Sequence, residues 1–171
     1  MQKELRMLSW VNPFLEVGKT KKYGNGVFAK KNLKKDEVLT VFGGYVIPID
    51  EFKKLSVEMQ EYAYQISENL LFGPVSENEV CISEYFNHSC NPNAGFRDQL
   101  TLVSMKDINV GEEITFDYAV CMTSDILDLK CLCESDDCRK YIKGNDWKKT
   151  ELQKKYNGYF QPYIREMIDK K

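Results

Sequence analysis

Three cysteines, Cys131, Cys133 and Cys138, stand within eight residues in the pattern C-x-C-x4-C. Most residues between them are acidic or small (Glu134, Ser135, Asp136, Asp137), so the segment does not read as a buried strand. Thiols so close together, in a reducing compartment, point to a zinc site rather than a disulfide framework. A structural zinc takes four ligands. The fourth must come from Cys81, Cys90, Cys121 or the single histidine, His88. Any fold open to this chain must bring one of these onto the trio.

The chain has 171 residues, of which 43% are hydrophobic. That suits one domain with small appendages and a core independent of disulfides. The net charge of −2 advertises no basic face, so direct nucleic-acid binding is not expected. An acidic groove for a basic peptide fits the same balance. The opening MQKELRMLSW has no leader-like apolar stretch, and no apolar run reaches the length of a membrane span. An intracellular place is therefore expected: nuclear or on chromatin in a eukaryote, cytoplasmic in a prokaryote, with a secreted effector as a further option.

The first two thirds read as short strands broken by turns. Phe14 to Val17 and Val27 to Ala29 flank Gly24-Asn25-Gly26, where the Asn-Gly step suits a tight hairpin. Glu37 to Phe42 and Tyr45 to Ile47 are further strands. Asp50 is placed to cap a helix from Glu51 to about Glu61. Tyr62 to Ile66 and Asn69 to Phe72 form a second hairpin, and Leu100 to Met105 and Glu113 to Tyr118 complete the set. Near the end, Asp146 caps a helix through Trp147, Leu152 and Tyr156, and Pro162 opens a last helix over 163–169. The fold class is mainly β with short helices, an α+β arrangement of small sheets.

The segment Asn87-His88-Ser89-Cys90-Asn91-Pro92-Asn93 follows an aromatic pair, Tyr85-Phe86. It matches the NHSCxPN signature of SET-domain protein lysine methyltransferases. Three more matches follow the family's order. Lys22-Tyr23-Gly24-Asn25-Gly26-Val27 resembles its GxG motif, Gly111 to Tyr118 (GEEITFDY) its GEEL-T-F-DY motif, and CLCESDDC its post-SET cysteine cluster.

The resemblance implies a β-clip fold with a knot-like core: a SET domain over 10–122 with a short insert at about 48–80, a post-SET zinc segment over 129–145, and a helical tail over 146–171. It implies a protein-lysine N-methyltransferase that uses S-adenosylmethionine, with a histone or another basic protein as substrate and one structural zinc ion. Tyr23, Gly24, Asn25 and Gly26 would lie along the cofactor, with Tyr62, Asn87 and His88 beside it and Leu132 over the adenine. Tyr64 would border the lysine channel. Tyr118 would be the main catalytic residue, and Phe116 would occupy the Phe/Tyr switch, with phenylalanine leaving room for di- or trimethylation. Cys90 would join Cys131, Cys133 and Cys138 as the fourth zinc ligand. A homodimer is compatible with a chain of this size. The competing expectations are an inactive SET-like peptide-binding module and a purely structural zinc module.

Overall fold

The computed structural model describes residues 6–170. Their strands run Trp10–Val11 (β1), Leu15–Lys19 (β2), Asn25–Ala29 (β3), Val38–Val41 (β4), Tyr45–Pro48 (β5), Tyr64–Ser67 (β6), Leu70–Gly73 (β7), Asn87–His88 (β8), Ala94–Phe96 (β9), Thr101–Ser104 (β10), Glu113–Phe116 (β11), Asp128–Lys130 (β12) and Tyr141–Lys143 (β13). Four short helices cover Ile49–Phe52 (α1), Val57–Gln60 (α2), Thr150–Lys155 (α3) and Pro162–Asp169 (α4).

An eight-stranded sheet runs in the order β1-β4-β10-β9-β11-β3-β2, with β8 also on β11. A three-stranded sheet, β5-β7-β6, and the two-stranded β12-β13 complete the architecture. The hub is β11. Ile114 and Phe116 are buried while Glu113 and Thr115 are less so, the alternation of a strand with one core face. It pairs antiparallel with β3 and parallel with β8 and β9. The NHSC segment and the GEEITFDY strand therefore lie side by side. Asn93 seals the gap where the ladder breaks. Its side-chain amide donates to the Glu113 carbonyl at 2.8 Å, and its oxygen accepts from Thr115 N at 2.9 Å. An asparagine can do both because it carries donor and acceptor in one plane, as a peptide does.

Several local expectations shift. Leu15–Lys19 and Asn25–Ala29 do pair as a hairpin, but Asn25-Gly26 lies inside β3. Gly24 at the end of the loop takes the positive φ, +77°. The helix expected over 51–61 is two single turns, α1 and α2. Asp50 caps neither: α1 has no side-chain cap, and Ser56 accepts from Met59 N to start α2 afresh. Phe52 and Met59 are still both buried. Tyr62 precedes β6 instead of lying in it, and Tyr118 follows β11 in a 3-10 turn over Tyr118–Val120. Asp146 opens a 3-10 turn, Asp146–Lys148, and Lys149 is the residue before α3. The Asp146 carboxylate is buried and accepts from Arg139, so it holds an ion pair in place of a helix end. Pro162 does open α4.

Candidate functional site

One side of the hub opens into a cavity of about 830 Å³, in the size range of small-molecule sites. Among the residues singled out in the sequence, Tyr23, Asn25, Tyr62, Tyr64, Asn87, His88, Phe116 and Tyr118 line it. They come from β3 and the loop before it, the start of β6 and the turn before it, β8, and the end of β11 with the turn after it, so four separate stretches of chain meet there. Gly24, Gly26 and Leu132 are not on the wall, and Leu132 is 41% exposed.

Gly26 acts from behind the wall. Asn87 Nδ2 donates to the Asn25 carbonyl and to Glu113 Oε1, each at 2.8 Å. A Cβ at position 26 would meet Thr20 Cγ2 at 2.5 Å, Glu113 Oε1 at 2.6 Å and Asn87 Nδ2 at 2.9 Å. Only glycine lets β3 approach this closely.

The far end of the cavity is aromatic. Phe116 lies with its ring centroid 5.0 Å from that of Tyr118 and 5.7 Å from that of Phe96. Tyr64 packs against Phe42, Phe72 and Phe96 at 5.0–6.0 Å. Its hydroxyl is buried and has no hydrogen-bond partner among the described residues. An unmet buried hydroxyl is costly, and here it sits in the lining of a cavity. Tyr118 donates its own hydroxyl proton to the Phe86 carbonyl at 3.2 Å, so its lone pairs are left to accept. Burial pushes the Tyr118 phenol well above its ordinary range, so it stays neutral.

His88 lies beneath. Its Nδ1 accepts from Tyr118 N at 3.2 Å, which puts the ring proton on Nε2, 3.5 Å from Cys90 Sγ. Desolvation lowers its pKa to about 4, so the ring is neutral at pH 7. It orients the backbone of Tyr118 and presents a donor to a sulfur.

That sulfur belongs to a cluster. The Sγ atoms of Cys90, Cys131, Cys133 and Cys138 all lie within 4.8 Å of one another, and Cys90 and Cys131 are 3.9 Å apart. Four sulfurs about 2.3 Å from a central zinc would stand roughly 3.8 Å apart, so the donor set fits. Cys81 and Cys121 lie outside the cluster. Burial pushes the bare Cys90 thiol up, so a cation must displace its proton. Arg139 N, 3.4 Å away, adds a second donor to this sulfur, and such outer contacts orient metal ligands. The strands β12 and β13 bracket the trio, pairing Lys130 with Tyr141, and Cys131 N donates to the Lys140 carbonyl at 2.8 Å.

Sequence reasoning gave no role to the link between cluster and cavity. Arg139 forks onto the buried carboxylate of Asp117 and reaches Asp146 at 3.0 Å. Tyr156 donates to Asp117 Oδ2 at 2.9 Å. Asp117 stood inside the GEEITFDY match, and Arg139 directly follows Cys138. A buried acid next to the catalytic candidate needs a partner, and that was the signal available.

The model of the SET domain matches residues 24–119. The chain belongs to the SET-domain family. That match spans β3 to the turn that carries Tyr118, so the family's segment contains most of the cavity wall and Cys90. Relatives are alike over a longer share of the chain than that match. A variant-silencing SET domain-containing protein of Plasmodium falciparum is 33% identical over 145 residues, covering 74% of this chain and 6% of that protein. The probable histone-lysine N-methyltransferase set-23 of Caenorhabditis briggsae is 30% identical over 147 residues, covering 75% of this chain and 60% of its own length. A histone-lysine N-methyltransferase of Schizosaccharomyces pombe, specific for H3 lysine 36, is 30% identical over 155 residues, covering 82% and 19%. This SET chain thus spans only 6% to 60% of the length of these relatives. The crystal structure of Arabidopsis thaliana SUVH6 in complex with SAM shares the fold, with a TM-score of 0.63 at 18% identity over 77% of this chain and 33% of that one. No helix among the described residues is long and apolar enough to cross a membrane.

Proposed function

We propose that this chain is a protein-lysine N-methyltransferase that draws its methyl group from S-adenosylmethionine. The observation that carries the reading is the aromatic end of the cavity. There Phe116, Tyr64 and Tyr118 surround one space, and the only hydroxyl proton of Tyr118 is turned away to Phe86.

Tyr23, Asn25, Tyr62, Asn87 and His88 would hold the donor along one wall, with Gly24 and Gly26 shaping that wall from behind. When bound, S-adenosylmethionine supplies an already electrophilic methyl group on a sulfonium. The residues must therefore supply a neutral amine in line with it. A free lysine, with a pKa near 10.4, costs about 4–5 kcal/mol to neutralise at pH 7. The ring walls of Phe116 and Tyr64 desolvate the ammonium and so favour its neutral form. Tyr118 accepts an N–H of the amine and fixes its direction, which can contribute several kcal/mol through alignment. It does not take the proton, since its own phenol is held neutral.

Glu61, Glu84 and Asp128 line the cavity, and among the described residues no lysine or arginine does. That charge suits a cationic segment such as a histone tail, which is the first substrate to test. Phe116 leaves space for a methylated amine to turn, so the reading includes di- and trimethylation. Cys90, Cys131, Cys133 and Cys138 would hold one zinc ion with every coordination position filled by protein, a structural role.

The test is a lysine-peptide array that includes histone tails, incubated with labelled S-adenosylmethionine and read by mass spectrometry, with Tyr118→Phe as control. Donor binding without transfer to any peptide would replace this reading with that of a peptide-binding SET module.

A further inference from the structure

The SET match ends at residue 119, yet the turn that presents Tyr118 is held from behind by residues far beyond it. Asp117 Oδ2 accepts from Tyr156 Oη at 2.9 Å. The Val120 carbonyl accepts from Gln161 N at 3.0 Å. The Cys121 carbonyl accepts from Tyr163 Oη at 2.7 Å. Tyr156, Gln161 and Ile164 are fully buried, so the tail is packed into the body and does not lie over its surface. From the front, Tyr118 is held by its hydroxyl on Phe86 and its amide on His88, with the rings of Phe116 and His88 packed beside its own.

We propose that the segment from Tyr156 to Tyr163 is a positioning brace for Tyr118, with Tyr163 and Tyr156 as its positioning residues. The proposal rests on reading Tyr118 as the residue that aligns the amine. A 3-10 turn of three residues has few bonds of its own. Here the tail grips it at Asp117, Val120 and Cys121, on both sides of Tyr118. Neither tyrosine appears among the residues that line the cavity. Their effect therefore falls on the geometry of transfer and leaves the binding of donor or peptide alone.

The experiment compares wild type with Tyr163→Phe and Tyr156→Phe, each losing one hydroxyl and no ring. Methyl transfer is measured at saturating donor and peptide, donor affinity by calorimetry, metal content by elemental analysis, and backbone protection of 117–123 by hydrogen exchange. The brace predicts a kcat lowered by about tenfold, short of the roughly hundredfold that a 1 Å misplacement costs. Donor affinity and peptide KM stay within about twofold, the pattern of an interaction that matters only in the transition state. Exchange rises across 117–123 and not across β3 or β8. Glu166→Gln, on the exposed side of α4, changes none of these. An unchanged kcat, or a kcat that falls together with donor affinity and metal content, overturns the brace. If wild type itself transfers no methyl group, the methyltransferase reading fails. Hydrogen exchange then decides the brace alone: faster exchange confined to 117–123 upholds it, and unchanged exchange overturns it.

Discussion

Arg139 reaches out of the cysteine segment and closes a two-pronged ion pair on Asp117, Nη1 to Oδ2 at 2.6 Å and Nη2 to Oδ1 at 2.8 Å. Asp117 is completely buried and the Arg139 side chain is 12% exposed. The guanidinium outweighs desolvation and holds the carboxyl below its ordinary range. Removing one partner leaves the other charge buried and alone. Arg139→Ala is therefore expected to lose about 3–5 kcal/mol in urea unfolding of the metal-loaded protein. Arg139→Lys recovers part of it, because an ammonium cannot form the parallel pair. A loss below about 1 kcal/mol would mean that the pair behaves like an exposed one.

The sulfur cluster predicts the metal content. Elemental analysis should find one zinc per chain, lost in Cys90→Ser and retained in Cys81→Ser and Cys121→Ser. A strong chelator should lower the melting temperature of wild type and leave that of Cys90→Ser where it is, since metal binding and folding are linked. Full metal content in Cys90→Ser would place the fourth ligand elsewhere.

The two glycines of the GxG stretch should fail differently. Gly26→Ala drives a methyl into Thr20, Glu113 and Asn87, which is expected to cost about 1–3 kcal/mol and to weaken donor binding. Gly24 faces open space, so Gly24→Ala costs only its left-handed backbone, about 1–2 kcal/mol. Thermal melts paired with donor calorimetry separate the two.

The pH profile tests the role of Tyr118. Its phenol is raised by burial, so it remains protonated as the medium turns alkaline. The rate should climb with pH as the substrate amine loses its proton, and Tyr118 should add no step of its own. Tyr118→Phe should lower kcat by roughly a hundredfold, as loss of one preorganised polar contact does, with the rising limb unmoved. Disappearance of that limb in the variant would make Tyr118 the base after all.

Phe116→Tyr adds a hydroxyl beside the rings of Tyr118 and Phe96. Product analysis over a long time course should show di- and trimethylated peptide in wild type and mostly monomethylated peptide in the variant. A wild type that stops at one methyl group refutes the assigned capacity.

Much of the cavity was legible in the chain because it is built from contiguous motifs. The alternation in Glu113–Phe116 marks a strand with one buried face, and Tyr118 comes two residues after it. Spacing alone marked the cysteine trio but left its fourth partner among four candidates, and the resemblance singled out Cys90. What escaped were pairings across distance. Nothing local at Arg139 names Asp117, because an ion pair carries no periodicity. The turn at Thr20 to Gly24 was misread because Asn-Gly is permitted in a turn without being confined to one. The helix over 51–61 broke because Ser56 offers its hydroxyl to Met59 N and restarts the chain, a choice that helix propensity does not record.

The placement of Cys90 after β8 and of its three fellows between β12 and β13 has a consequence for how the molecule is made. On a ribosome adding about 5–20 residues per second, the β8 cysteine emerges on the order of several seconds before Cys138. During that interval the newborn wall is unclasped, and Cys90 is exposed to whatever else in the cell covets a thiol. The cluster of such a chain closes only once the segment through Cys138 has been made, so a polypeptide stalled before it lacks the clasp.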